Sequence, residues 1–95
     1  MSTRPILLRE AIGETIRDLR ARSGRTLRDV SGAAQVSLGY LSQIERGQKE
    51  ASSEVLACVT GALGLSVGEL MADVADRLAA YESASMVSFP ARWAA

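Results

Sequence analysis

Only Gln35 and Val36 separate two short stretches of helical periodicity, and this spacing constrains the chain more than any other feature. Before the link, Leu27, Val30, Ala33 and Ala34 share one face behind Thr26, a residue type that caps helices. After it, VSLGYLSQIERGQKE opens on Ser37, another capping type, carries Leu41 and Ile44 inward and stops at Gly47. Two residues leave room only for a sharp turn, so the spacing predicts two short helices crossing at a steep angle.

Around this pair no strand pattern survives, because apolar residues recur at three and four rather than two. A first helix is expected over residues 7–22, with Leu8, Ile12, Ile16 and Leu19 on one face and Gly24 as its stop. Ser52 or Ser53 opens a fourth helix, buried through Val55, Leu56, Val59 and Leu63 and ended by Gly64. Cys58 lies in that run, alone in the chain, and is expected to pack as a small buried hydrophobe. Ser66 and Glu69 have the spacing of a capping box, which opens a fifth helix. The fold class is therefore all-α, with five helices.

In the fifth helix Val67, Met71, Val74, Leu78 and Tyr81 follow a heptad spacing, the seam by which two helices pack together. Leu70 and Met71 are expected to return to the core. Val74, Leu78 and Tyr81 are expected to meet a second copy, although the same spacing also suits a helix folded onto its own core. The final stretch ESASMVSFPARWAA holds Phe89 and Trp93, and Pro90 limits helix continuity there. Aromatic groups of this size favour interface cores, a frayed tail being the alternative. The expected division is a unit over residues 7–72 that contains the two-helix turn and a helical extension with tail over residues 73–95, serving dimerisation.

Composition narrows the chemistry. With no His and one Cys, the chain holds no Ser/His/Asp triad, Cys/His pair or common zinc set, so neither enzymatic activity nor a cofactor is expected. The net charge of zero hides an imbalance: residues 1–50 carry nine Lys/Arg against six Asp/Glu, residues 51–95 two against five. The front half is thus the part suited to a polyanion, and ten of the eleven basic residues are Arg, which suits phosphate recognition. MSTRPILLRE lacks the apolar run of a signal peptide and no stretch is long and apolar enough to span a bilayer, so a cytoplasmic protein without a membrane partner is expected.

A short helix, a tight turn and a capped second helix form a helix-turn-helix, whose second helix enters the major groove with its N-terminal residues toward base edges. With Leu41 and Ile44 inward, Leu38, Gly39, Ser42 and Gln43 face the other side. Gln43 suits paired hydrogen bonds to adenine and Leu38 suits a thymine methyl. Tyr40, Arg46 and Lys49 have the reach for phosphate oxygens, with packing over the turn as the alternative for Tyr40. Residues 12–71, through IGETIRDLRARSGRTLRDV, VSLGYLSQIERGQKE and LACVTGALGLSVGELM, resemble the xenobiotic-response-element, or Cro/C1-type, helix-turn-helix regulators. TLRDVS and VSLGYLSQIERGQKEASSEVLA are most similar to the Clp gene regulators of actinobacteria.

The resemblance implies a five-helix domain that binds two-fold operators as a homodimer. It implies base reading by Leu38, Gly39 and Gln43, with Ser42 beside them, and backbone contacts from Ser37, Tyr40 and the loop after the third helix. Leu27 stands where the family often has a phosphate-touching Gln, so Arg25, Thr26 or Arg28 would supply that contact. Gln35 stands at a turn position commonly Gly, which implies strain if its φ is positive. Arg20 and Glu45 match positions that form an ion pair, making Glu45 scaffold rather than reader.

The function so implied is a dimeric activator of Clp protease and stress genes on a palindromic operator in double-stranded DNA, with RNA polymerase as a further partner. The alternatives are a protein interaction module on the same fold, or a phage-type repressor or antitoxin. Ala94 and Ala95 resemble small apolar tags read by ATP-dependent proteases, which would make Clp protease a partner as well.

Overall fold

The computed structural model describes residues 6–85, and every regular element among them is a helix. α1 spans Leu8–Arg22, α2 Leu27–Ala34, α3 Leu38–Glu45, α4 Ser53–Ala62 and α5 Val67–Ser85. The starts lie where a side chain can satisfy an N–H that the first helical turn leaves open. The Asp29 N–H donates to the Thr26 hydroxyl at 3.0 Å, and the Thr26 N–H donates to the Asp29 carboxylate at 2.9 Å. Ser66 and Glu69 make the same reciprocal box, at 3.0 and 2.9 Å. Ser37 and Ser52 each accept from the N–H three residues on, at 3.2 Å, so Ser52 rather than Ser53 caps α4.

The turn that defines the motif closes through two backbone bonds. Val36 N–H donates to the Ser31 carbonyl at 3.1 Å and Gln35 N–H to the Gly32 carbonyl at 3.3 Å. This closure needs a left-handed residue, and Gln35 supplies it at φ 56° and ψ 41°. A side chain in that region carries roughly 1–2 kcal/mol of steric strain that glycine escapes.

Ala11, Ile16, Val30, Ala34, Leu41, Ile44, Leu56, Val59, Leu70 and Val74 form one core. α1 lies against α3 and α5, α2 against α3 and α4, and α4 meets α5. At one point α1 and α3 touch backbone to backbone. A Cβ on Gly13 would stand 2.2 Å from the Ile44 carbonyl oxygen and 2.8 Å from that of Glu45. Only glycine lets α3 come this close, a role the periodicity of α1 does not announce.

Four expectations need correction. Leu8 is 56% exposed, because the inner face of α1 runs through Ala11, Gly13, Thr15 and Ile16, with Ile12 and Leu19 half-buried. Ala33 is exposed, since eight residues of α2 bury one narrow stripe through Val30 and Ala34. Cys58 is exposed as well: α4 buries Leu56, Val59 and Thr60, and position 58 falls on the opposite side of the helix. Val74, expected in a seam between copies, is only 2% exposed and belongs to the core of this chain.

The reason for the last correction is α1. The Arg77 guanidinium on α5 donates to Thr15 Oγ1 at 3.0 Å, to Glu14 Oε1 at 3.1 Å and to the Asp18 carboxylate. The Tyr81 hydroxyl donates to Glu14 Oε1 at 2.9 Å. Heptad spacing states that a helix has an apolar seam but not which helix fills it, and here α1 of the same chain does so. Leu78 packs against the core from the edge, and Tyr81 stays 42% exposed. The boundary expected between residues 72 and 73 falls inside α5, which continues through it without a break.

Candidate nucleic-acid interface

α3 is held from behind by its apolar residues and by one charge. Leu41 and Ile44 are buried, and Glu45 is 7% exposed with both carboxylate oxygens engaged. Arg20 Nε donates to Glu45 Oε2 at 2.7 Å and Arg20 Nη2 to Glu45 Oε1 at 2.9 Å, a planar two-bond fork. The remaining Nη1 donates to the Arg25 carbonyl at 3.1 Å. A single guanidinium thus ties together the end of α1, the turn into α2 and the end of α3. The hydrogen bond to Glu45 raises the Arg20 pKa against the opposing effect of burial, so the cation is secure.

What α3 turns outward follows from what it turns inward. Ser37 and Gly39 are exposed, while Leu38, Ser42 and Gln43 are half-buried along the helix flank. The Ser42 hydroxyl and the Gln43 amide make no side-chain hydrogen bond among the described residues and stay open to an outside partner. A Cβ on Gly39 would meet nothing within 4 Å, so the chain's own packing gives no reason for glycine there. Mid-helix glycine costs roughly 1 kcal/mol relative to alanine.

The loop after α3 is pinned at both ends. Arg9 Nε donates to the Gly47 carbonyl at 3.0 Å, and the Tyr40 hydroxyl donates to the Glu50 carbonyl at 2.9 Å. Gly47 has φ 72° with Glu10 pressed against it, where a Cβ would stand 2.8 Å from Glu10 Cγ. Lys49 lies between the two pins with its side chain exposed. The Tyr40 ring packs against the core, and its hydroxyl braces the loop by giving its one proton to the Glu50 carbonyl.

Around this nose stands a rim of cations. Arg25 and Arg28 flank the start of α2, and Arg46 and Lys49 follow α3; all four are exposed and form no ion pair among the described residues. Thr26 is exposed too, although its hydroxyl already caps α2. Hydrogen bonds from the Thr26 backbone and hydroxyl hold the Asp29 carboxyl below its usual pKa, and Arg25 contributes in the same direction. Arg17, exposed on α1, adds a further cation to this rim. It shares a depression of about 220 Å³ with Ser42 and Arg46, over the Arg20–Glu45 pair. Its signals in the sequence are its place at the head of the five arginines from Arg17 to Arg28 and one turn before Arg20 on α1.

Thus the α3 nose, the start of α2 and the loop after α3 form one surface. Val74, Leu78 and Tyr81 lie elsewhere, on α5 against α1. Phe89, Trp93, Ala94 and Ala95 lie outside the described residues.

Known proteins share this fold. A helix-turn-helix domain family matches residues 11–74. The transcriptional regulator ClgR of Mycobacterium tuberculosis is 50% identical over 76 residues, covering 80% of this chain and 68% of that protein. The crystal structure of the clp gene regulator ClgR from Corynebacterium glutamicum superposes with a TM-score of 0.81 at 48% identity, over 84% of this chain and 85% of that one. The restriction-modification controller protein C.Esp1396I, solved as a tetramer with its natural 35 base-pair operator, shares the fold at a TM-score of 0.72 and 19% identity. That match covers 77% of this chain and 96% of the controller.

Proposed function

This chain belongs to the helix-turn-helix family of DNA-binding transcriptional regulators, and on that premise we propose that it activates Clp protease and stress genes as a dimer on a palindromic operator. The observation that carries the proposal is the front of α3, where the Ser42 and Gln43 side chains have no hydrogen-bond partner among the described residues and Gly39 has no packing reason to be glycine. In the major groove Gln43 pairs with base edges, Leu38 covers a thymine methyl, and Gly39 lets the helix backbone approach. Ser37, Arg46 and Lys49 hold the phosphates on one side of the groove, joined by Tyr40 when its hydroxyl proton turns from the Glu50 carbonyl to a phosphate oxygen, and Arg25, Thr26 and Arg28 hold them on the other.

One such head makes few base contacts, so useful specificity requires two heads at a fixed half-site spacing. Val74 being internal, the second copy is engaged by the half-open edge of α5 beside α1 and by the segment after it, with Leu78, Tyr81, Phe89 and Trp93 as the named contacts. Activation brings RNA polymerase as the further partner, and the clp specificity rests on the ClgR relatives.

The test is titration of palindromic and scrambled duplexes at several salt concentrations, with molar mass measured in parallel. Preference for the palindrome, a steep salt slope and a dimer are expected. In the same assay Gly39→Ala stabilises the fold by roughly 1 kcal/mol yet weakens palindrome binding. Equal affinity for both duplexes at every salt concentration overturns the reading.

A further inference from the structure

We infer that Arg17, on α1 and outside the helix-turn-helix pair, is a further DNA contact that grips a backbone phosphate jointly with Arg46. Arg17 and Arg46 are exposed, form no ion pair among the described residues, and line one depression with Ser42 between them. The same depression contains a carboxylate, Glu45, which would repel a phosphate if its charge were open. Both of its oxygens are held by Arg20, at 2.7 and 2.9 Å, so the floor of the depression is balanced and the excess charge belongs to Arg17 and Arg46.

Two guanidinium groups and a hydroxyl around a small concavity suit a phosphodiester, whose two free oxygens accept several N–H bonds at once. The position suits a strand of the duplex, because Ser42 stands one helical turn after Leu38 on the same flank of α3, at the edge of the face given to base reading. A phosphate held here anchors the C-terminal half of α3, opposite the contacts at its N-terminal nose, and so limits rocking of the helix in the groove. Phosphate contacts position a protein without carrying sequence information. Arg17 therefore contributes to affinity and orientation rather than base choice.

The inference rests on the DNA-binding reading above, and the experiment separates the two. Wild-type, Arg17→Gln and Arg17→Lys proteins are titrated with palindromic and scrambled duplexes across a salt series. Arg17→Gln is expected to lose roughly five- to tenfold in affinity for both duplexes alike, with the salt slope reduced by about one. Arg17→Lys retains most of the slope, and thermal unfolding is unchanged in both variants because the side chain has no partner among the described residues. Wild-type affinity and slope in Arg17→Gln overturn the inference while leaving the regulator intact. A loss confined to the palindrome overturns it too, by making Arg17 a base reader. Absence of DNA binding by the wild type removes the regulator reading and this contact with it.

Discussion

Two arginines anchor other helices to α1, and they do it under different conditions. Arg20 reaches Glu45 on α3 with side chains only 16% and 6% exposed. Arg77 reaches back from α5 to Glu14 and Asp18 with exposures of 25%, 39% and 46%. The first fork is planar and two-bonded to one carboxylate; the second is divided among two carboxylates and the Thr15 hydroxyl. Water screens the second and hardly reaches the first. The difference matches what each holds: α3 has to keep its orientation relative to α1 and α2, whereas the far half of α5 sets no part of the surface around α3.

Removing half of the buried fork gives the largest expected effect. Arg20→Ala strands the Glu45 carboxylate, and Glu45→Ala strands a mostly buried guanidinium; each costs about 3 to 5 kcal/mol. Arg20→Ala is the worse of the two, since Glu45 is the more buried partner and Arg20 keeps the Arg25 carbonyl at 3.1 Å when Glu45 is lost. Urea unfolding measures both. Losses below about 1 kcal/mol in both would place this fork in the class of surface pairs and end the contrast.

The exposed fork comes next. Arg77→Ala is expected to cost about 1 kcal/mol or less, because each ion pair is screened and α5 stays docked through Leu70 and Val74. High salt shrinks that loss and leaves the Glu45→Ala loss almost unchanged. Unfolding of both variants at low and high salt sharpens the comparison, and an Arg77→Ala loss as large and as salt-insensitive as that of Glu45→Ala would break it.

The two forks also differ in how far they could be read from residues alone. Caps at Thr26, Ser37 and Ser66 are legible in the residues, because each is a local bond spanning three positions, whereas the strain at Gln35 is implied only by the family resemblance. The Arg20–Glu45 pair, 25 residues apart, came only through family resemblance. Nothing local marks Arg77 as the partner of residues 59 to 63 positions away, and so spacing alone leaves the α5 seam open between a second copy and the chain's own core. The parts played by Gly13 and Arg17 escape for a related reason. The role of each depends on which backbone or side chain lies across from it, and helical spacing does not contain that.

The smallest expected effect isolates one bond of the exposed fork. The Tyr81 hydroxyl donates to Glu14, and this hydrogen bond, with burial and the Glu14 charge behind it, raises the phenol pKa above its ordinary value of 10.0. A folded-state pKa raised above the unfolded one means that the bond stabilises the fold fully below the unfolded value. That contribution is lost as pH rises through the folded value. The chain has two tyrosines, so in a Tyr40→Phe background the phenolate absorbance reports Tyr81 alone. Its ionisation midpoint is expected to lie above that of the urea-unfolded chain and to fall toward it in Glu14→Gln, where the acceptor loses its charge. In Glu45→Ala the midpoint stays where it was, because the buried fork lies on another side of α1 and shares no group with Tyr81. A midpoint that moved with Glu45 would show the two anchors to be coupled, and they could no longer be treated as independent attachments to one helix.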